Sequence, residues 1–461
     1  MKRSVSLIVL VGLLAAMLAA CGSAPAAPAG TTAPVATTAP AATAVSAATD
    51  APAATAAPAA TDAPAATAAP AATTAPAATT APTADGERLV IASSLPRTGS
   101  SKGQTDTVVN AIKQRLEEAN YQACDAKYTI EYQDLDDATA AAGQWTAEAE
   151  AANANKAVAD PDVMIYIGTF NSGAAKVSIP ILNAAELVMI SPANTYPGLT
   201  KPGKGEPNEP DVYYPTGTRN YARVVPADDL QGAAAANWAK SLGATSAYIL
   251  DDAQLYGKGI ADVFNATAAK IGLTVVGQES IDGKAADYRA LAAKILDLNP
   301  DMVYFGGITQ QNAGQLLKDL RGEGYEGKFM GPDGIYETAF IEAAGADVAE
   351  GVYVTFGGVP PSELTGKGGE WYTNYKATYN SEPEVYAIYG YESANVAMAA
   401  INEVCDKDRA AIRDAVFATK DFDGVLGNWS FDANGDTSLT ALSGAQVTAG
   451  EFKFLTAISA P

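Results

Sequence analysis

The chain of 461 residues contains no histidine. That absence removes Ser-His-Asp and Cys-His nucleophile pairs, histidine-containing metal sites, and the side chain most often used for proton transfer near neutral pH. An enzyme built without it would need a pair such as Asp251 or Asp252 with a lysine, and no such constellation stands out. Cysteine is scarce too, with only Cys21, Cys124 and Cys405. Positive charge is short: 30 Lys and Arg face 52 Asp and Glu, a formal charge of −22 that excludes nucleic acid and anionic membrane surfaces as partners. The one apolar run near the start, Val5 to Leu14, is too short for a convincing membrane span.

That run follows Lys2 and Arg3 and leads through small residues to Ala20, the three-part plan of an export signal. Leu18-Ala19-Ala20-Cys21 resembles the bacterial lipobox, which implies cleavage of residues 1–20 and lipidation of the Cys21 thiol. Residues 21–85 form a linker almost entirely of Ala, Pro and Thr, with Pro52, Pro58, Pro64, Pro70, Pro76 and Pro82 at a regular interval. Such a composition buries no core, and its prolines favour extended polyproline conformations at ~3.1 Å per residue. It reads as a disordered tether; a glycosylated stalk is the competing reading.

The stretch 86–461 is too long for one ordinary core and divides into two lobes. Short β-branched runs alternate with helical patterns. A first strand series is Arg88–Ala92, Tyr128–Gln133, Val163–Gly168 and Leu187–Ile190; a second is Ala247–Leu250, Thr274–Gln278, Met302–Phe305, Lys328–Met330 and Val352–Phe356. Between them, Val108, Ile112 and Leu116, then Ile260, Phe264 and Ala268, recur at helical spacing. The alternation predicts an α/β fold of two doubly wound parallel-sheet lobes, with ligands at the carboxyl ends of the strands, in the cleft between lobes. Cys124 and Cys405 either form one disulfide or remain two buried thiols.

Three motif-like stretches fail as chemistry. Gly198 to Gly205 nearly spells a phosphate loop, but Gly205 stands where Ser or Thr would hold magnesium. Gly257-Lys258-Gly259 has Asp262 at the last glycine position of a dinucleotide fingerprint and reads as a tight turn. Asp432-Ala433-Asn434-Gly435-Asp436 has its glycine misplaced for a calcium loop and Ser443 where the bidentate Glu belongs, so Asn434-Gly435 reads as a hairpin turn. What remains is polar residues just past strand ends: Phe170-Asn171-Ser172 after Gly168, Ala193-Asn194-Thr195 after Ile190, and Asp333 after Met330. Hydroxyls and free amides at a helix start hold a carboxylate without a cation, and an acid pairs with an ammonium. Together they match a zwitterion.

Ile190-Ser-Pro-Ala-Asn-Thr195, Asp252-Ala-Gln-Leu-Tyr256-Gly-Lys-Gly259, Phe305-Gly306-Gly307, Phe329-Met-Gly-Pro-Asp333-Gly and Tyr386-Ala-Ile-Tyr-Gly-Tyr391 resemble, in order and spacing, the leucine/isoleucine/valine-binding protein family, the type I periplasmic binding proteins of ABC transporters. The resemblance covers essentially all of 86–461. It implies two lobes joined by three crossovers, near Val225, Gly357 and Trp429, with 86–225 plus 358–428 as lobe 1 and 226–357 plus 429–461 as lobe 2. It places carboxylate contacts on Ser172 and on the amide and hydroxyl of Thr195, and ammonium contacts on the Ala193 carbonyl, Thr195 and Asp333. Phe170, Asn171, Tyr256 and Tyr386 complete the walls. Ile308 stands where the family often has an aromatic residue, Asp333 where it usually has Glu, and Lys102 where a tyrosine is usual. Lys102 either accepts an acidic or polar ligand or points into solvent.

The segment 201–223, rich in proline and tyrosine, covers the cleft, offers a docking surface, or packs on one lobe. The function implied is capture of an amino acid, branched-chain in the family, by a monomeric, cofactor-free, non-enzymatic protein. It would sit on the extracytoplasmic face of the cell membrane through a lipid on Cys21 and deliver its ligand to an ABC permease. The alternatives are another small solute (an amide, urea or a polar amino acid), a sensory role, and an exported enzyme on the same scaffold.

Overall fold

The computed structural model describes residues 86–459; the leader, Cys21 and the linker lie outside the described residues. The first sheet has the spatial order Gln122–Ala123, Tyr128–Asp136, Glu87–Leu95, Val163–Gly168, Val188–Ser191 and Tyr221–Arg223, parallel throughout except at the short first strand. Its central strands are apolar without alternation, and Val163–Gly168 is buried at every position, as a strand covered on both faces must be. Helices Lys102–Glu118 and Ala387–Val404 pack together in one core, and Ala147–Ala159 and Ser172–Ala184 pair over a second.

The second sheet runs Thr274–Ser280, Ser246–Asp251, Met302–Gly306, Lys328–Gly331, Tyr353–Phe356, Leu442–Thr448 and Glu451–Ile458. Its first five strands are parallel, and the last two are antiparallel additions that the βα pattern does not announce. Ala449-Gly450 joins them with positive φ at both residues (54° and 77°), the geometry of a tight hairpin turn whose twist suits paired strands. The chain passes between the sheets after Arg223, after Phe356, and again through residues 430–441. The third passage runs beside the first, because Asp436 bridges to Arg223.

Three features of the sequence find their places. Cys124 and Cys405 form a disulfide within the lobe of the first sheet, their Cα atoms 5.6 Å apart. Asn434-Gly435 does form a turn, between the bridged residues Phe431 and Thr437. Gly257 and Gly259 correct the tight-turn reading, since both lie inside the helix Leu255–Ile271. A Cβ on Gly257 would come within 2.2 Å of Asp252 Oδ1 and 2.5 Å of the Gly306 carbonyl, so the missing side chain lets the helix approach the strands closely.

The proline-rich segment 201–223 packs on the first lobe. Tyr213 and Tyr214 are buried there. The Tyr196 and Tyr213 hydroxyls both donate to Glu209, Tyr214 donates to the Leu199 carbonyl at 2.7 Å, and the Arg219 guanidinium lies 4.3 Å over the Tyr214 ring.

Candidate functional site

The site lies where strand ends of both sheets meet. Val163–Gly168 ends just before Phe170 and Asn171, and the helix that follows begins at Ser172. Val188–Ser191 ends before Ala193 and Thr195, and Lys328–Gly331 before Asp333. These residues line one cavity with Tyr256, Ile308, Gly334 and Tyr386. Its free volume is only about 20 Å³, far below the ~300–1,000 Å³ usual for small-molecule pockets, so the walls must part for a ligand to enter. Every site residue that the family resemblance implied is brought there except Lys102. Lys102 starts the helix Lys102–Glu118, more than half exposed, and its amine pairs with Asp106 one turn on.

One wall is a cradle of uncharged donors. The Ser191 hydroxyl accepts from the Ala193 and Asn194 amides at 3.1 and 2.8 Å and donates to the Thr169 carbonyl at 3.1 Å, curling the loop 191–196. Tyr196 N–H donates to Ser172 Oγ at 3.3 Å, tying that loop to the first turn of the helix Ser172–Ala184. The amino end of that helix carries partial positive charge, which favours an anion without a cationic side chain.

The opposite wall carries Asp333, the one ionisable carboxyl lining the cavity. It is buried and accepts three hydrogen bonds: from the Tyr256 hydroxyl at 2.8 Å, the Gln231 amide at 2.6 Å and the Tyr386 hydroxyl at 2.5 Å. Gln231 is held in turn by the Thr355 carbonyl at 3.1 Å, and Gly334 N–H donates to the Tyr256 hydroxyl at 3.1 Å. Burial pushes the Asp333 carboxyl up, against the pull of its three donors. Asp228 lies beside it at the start of the helix Asp228–Ser241, with neither carboxylate oxygen hydrogen-bonded, and burial followed by the Asp333 charge holds its carboxyl well above the usual range. Such a site disfavours further negative charge and favours a cationic group against Asp333.

Phe170 and Tyr386 meet edge to face at 5.5 Å, and Tyr256 and Ile308 pack together, giving the cavity its apolar sides. Ile308 is fixed through its N–H, which donates to Asp252 Oδ2 at 3.1 Å. Gln231 and Asp228 escaped the sequence reading. Both lie in the helix that follows the first passage between lobes, and neither stands at a strand end, the signal that marked the others.

The family described as periplasmic binding protein matches residues 88–451. The chain belongs to that family. A Leu/Ile/Val-binding protein of Rhizobium johnstonii is 27% identical over 77% of this chain and 90% of its own length. A Leu/Ile/Val-binding protein homologue of Brucella abortus is 30% identical over 62% of this chain and 72% of its own. Among solved structures, the leucine-binding protein LivK of Thermotoga maritima superposes with a TM-score of 0.71 at 25% identity, covering 80% of this chain and 99% of that one. LivJ of Streptococcus pneumoniae, solved with isoleucine, gives 0.69 at 24% identity, covering 81% and 100%. Both superpositions take in the α/β fold described above.

Proposed function

We propose that this periplasmic binding protein captures a free amino acid with an apolar side chain, as the names of its Leu/Ile/Val-binding relatives suggest. The observation that carries the reading is the pairing, across one small cavity, of an uncharged donor cradle with a single buried acid. The ligand carboxylate takes the Ser172 hydroxyl and the amide and hydroxyl of Thr195. Its ammonium takes the Ala193 carbonyl, the Thr195 hydroxyl and Asp333, while Phe170, Tyr256, Ile308 and Tyr386 surround the side chain. Asn171 shapes the cradle, and Lys102 has no part in it.

In this reading 86–225 plus 358–428 moves as one lobe and 226–357 plus 429–461 as the other, with capture by hinge closure. The closed form hands the ligand to an ABC permease, without cofactor or chemistry. A lipid on Cys21, after removal of 1–20, holds a monomer at the outer face of the cell membrane, and 21–85 spans the distance to the folded part. Support for the anchor comes from the sequence of residues 1–23.

The test is the melting temperature of the purified chain, refolded to remove carried-over ligand, against the twenty amino acids, urea, short amides and polyamines. A ligand that binds only the native state raises it. A shift with Leu, Ile or Val that exceeds the shift with leucinamide supports the proposal; silence across all zwitterions with a response to an amide or amine overturns the ligand class.

A further inference from the structure

Arg223 is the last residue of the strand Tyr221–Arg223, fully buried where the chain first leaves lobe 1. A guanidinium in that position is costly unless its donors are used. Here Nε donates to Asp436 Oδ1 at 2.6 Å, Nη2 to the Thr200 hydroxyl, and Nη1 to the carbonyls of Asn194 at 3.3 Å and Tyr196 at 2.8 Å. Thr200 in turn donates to the Asp436 carboxylate at 2.9–3.0 Å. One side chain thus gathers the cavity loop 191–196, the start of the proline-rich segment and the turn of the third passage between lobes.

The two carbonyls Arg223 holds flank Thr195, and one of them fixes a group in the cavity wall. Asn194 C=O and Thr195 N–H belong to the same planar trans peptide unit and point in opposite directions. Drawing the carbonyl to Arg223 therefore turns the N–H the other way. The next peptide unit is pinned at both ends: Thr195 C=O accepts from Asp228 N–H at 2.9 Å, and Tyr196 N–H goes to Ser172. Among the described residues the Thr195 N–H itself meets no acceptor, while Thr195 lines the cavity.

We infer that Arg223 is a positioning residue for ligand binding: with its plane set by Asp436, it pre-aims the Thr195 amide at the ligand carboxylate. The inference rests on the reading that this cradle takes a carboxylate. A preset donor spares the ordering cost at binding, so releasing it should weaken carboxylate ligands selectively.

The full chain and the variants Arg223→Lys and Asp436→Asn are titrated calorimetrically with L-leucine and L-leucinamide, which lacks the carboxylate. Lysine keeps the charge but loses the fork that binds Asp436, Thr200 and the two carbonyls at once. Arg223→Lys is expected to weaken leucine by about tenfold and leucinamide by less than about twofold, so that the preference for leucine collapses; Asp436→Asn moves the same way by a smaller factor. Asp436→Asn carries the test if Arg223→Lys does not fold. Parallel losses for both ligands, or no loss for leucine, overturn the inference and leave Arg223 a structural residue. If the unaltered chain binds neither ligand, the amino-acid reading fails, and the positioning role is decided by hydrogen exchange of the Thr195 amide in the unliganded proteins: faster in the variants supports it, unchanged overturns it.

Discussion

Tyr386 and Asp333 face each other across the cleft, the hydroxyl donating to the carboxylate at 2.5 Å. Tyr386 caps the helix Ala387–Val404 of the first lobe, and Asp333 follows a strand of the second, so this bond exists only while the lobes are together. Hydrogen bonds to a buried charge contribute ~1.5–3 kcal/mol. Tyr386→Phe keeps the ring against Phe170 and removes only the bond. Ligand affinity should fall by about tenfold, almost wholly as faster release, because closure and not encounter is affected. Stopped-flow rates would check this, and a slower association with unchanged release would contradict it.

Asp333→Asn separates the charge of this acid from its shape. The three donors now held by the carboxylate would face an amide that accepts at one end only, and a ligand ammonium would lose its counter-charge. Amino-acid binding should weaken at least about tenfold. The unliganded chain should lose little stability, because the substitution also removes a buried charge beside the unpaired carboxyl of Asp228. Calorimetry and melting measured together decide the matter: full affinity in the variant would dismiss the ammonium contact.

Stability should rise as the solution becomes mildly acidic. Burial pushes Glu150, Asp252 and Glu337 each up to about 7. A carboxyl with a folded pKa above its unfolded one binds more protons when folded, so its contribution is complete below the unfolded value near 4 and is lost as pH rises through 7. Asp301 works oppositely, held down to about 2 by the hydroxyl and amide of Thr245 and the amide of Ser246, but its slope lies below about pH 4. The melting temperature should therefore be several degrees higher at pH 5.5 than at pH 8. Glu150→Gln should flatten part of that slope, and a slope of opposite sign would mean these acids stay ionised in the folded chain.

The parallel strands were legible because burial on both faces leaves continuous apolar runs; Val163–Gly168 matches its predicted bounds. The cavity residues were legible because parallel sheets present ligands at strand ends, and Ser172, Thr195 and Asp333 all stand two to four residues past one. The roles of Gln231 and Arg223 were not, since each depends on partners distant in sequence: Asp333 and Thr355 for the first, Asp436 for the second. Local pattern also misled at Gly257, whose small size serves a contact with Asp252 and Gly306 instead of a turn. The closing hairpin hid for another reason: Leu442–Thr448 and the edge strand Glu451–Ile458 are antiparallel additions with no helix between them, outside the strand-helix alternation that marked the others.

The Cys124–Cys405 bridge allows the lobes' contribution to stability to be separated from their contribution to binding. It links residues 281 positions apart, so the ring it closes contains the larger part of the second lobe, 226–357, and two of the passages between lobes. Cross-links restrain the unfolded chain more than the folded one, by ~2–5 kcal/mol for native bridges. Neither cysteine lines the cavity. Reduction should therefore lower the melting temperature by several degrees while changing ligand affinity less than about twofold. Reduction is a better test than alanine substitution, because it opens the bond and leaves both side chains in place, Cys124 still packed against the core. A drop in affinity that tracks the loss of stability would show that the bridge also sets the position of the helix Ala387–Val404, and with it Tyr386.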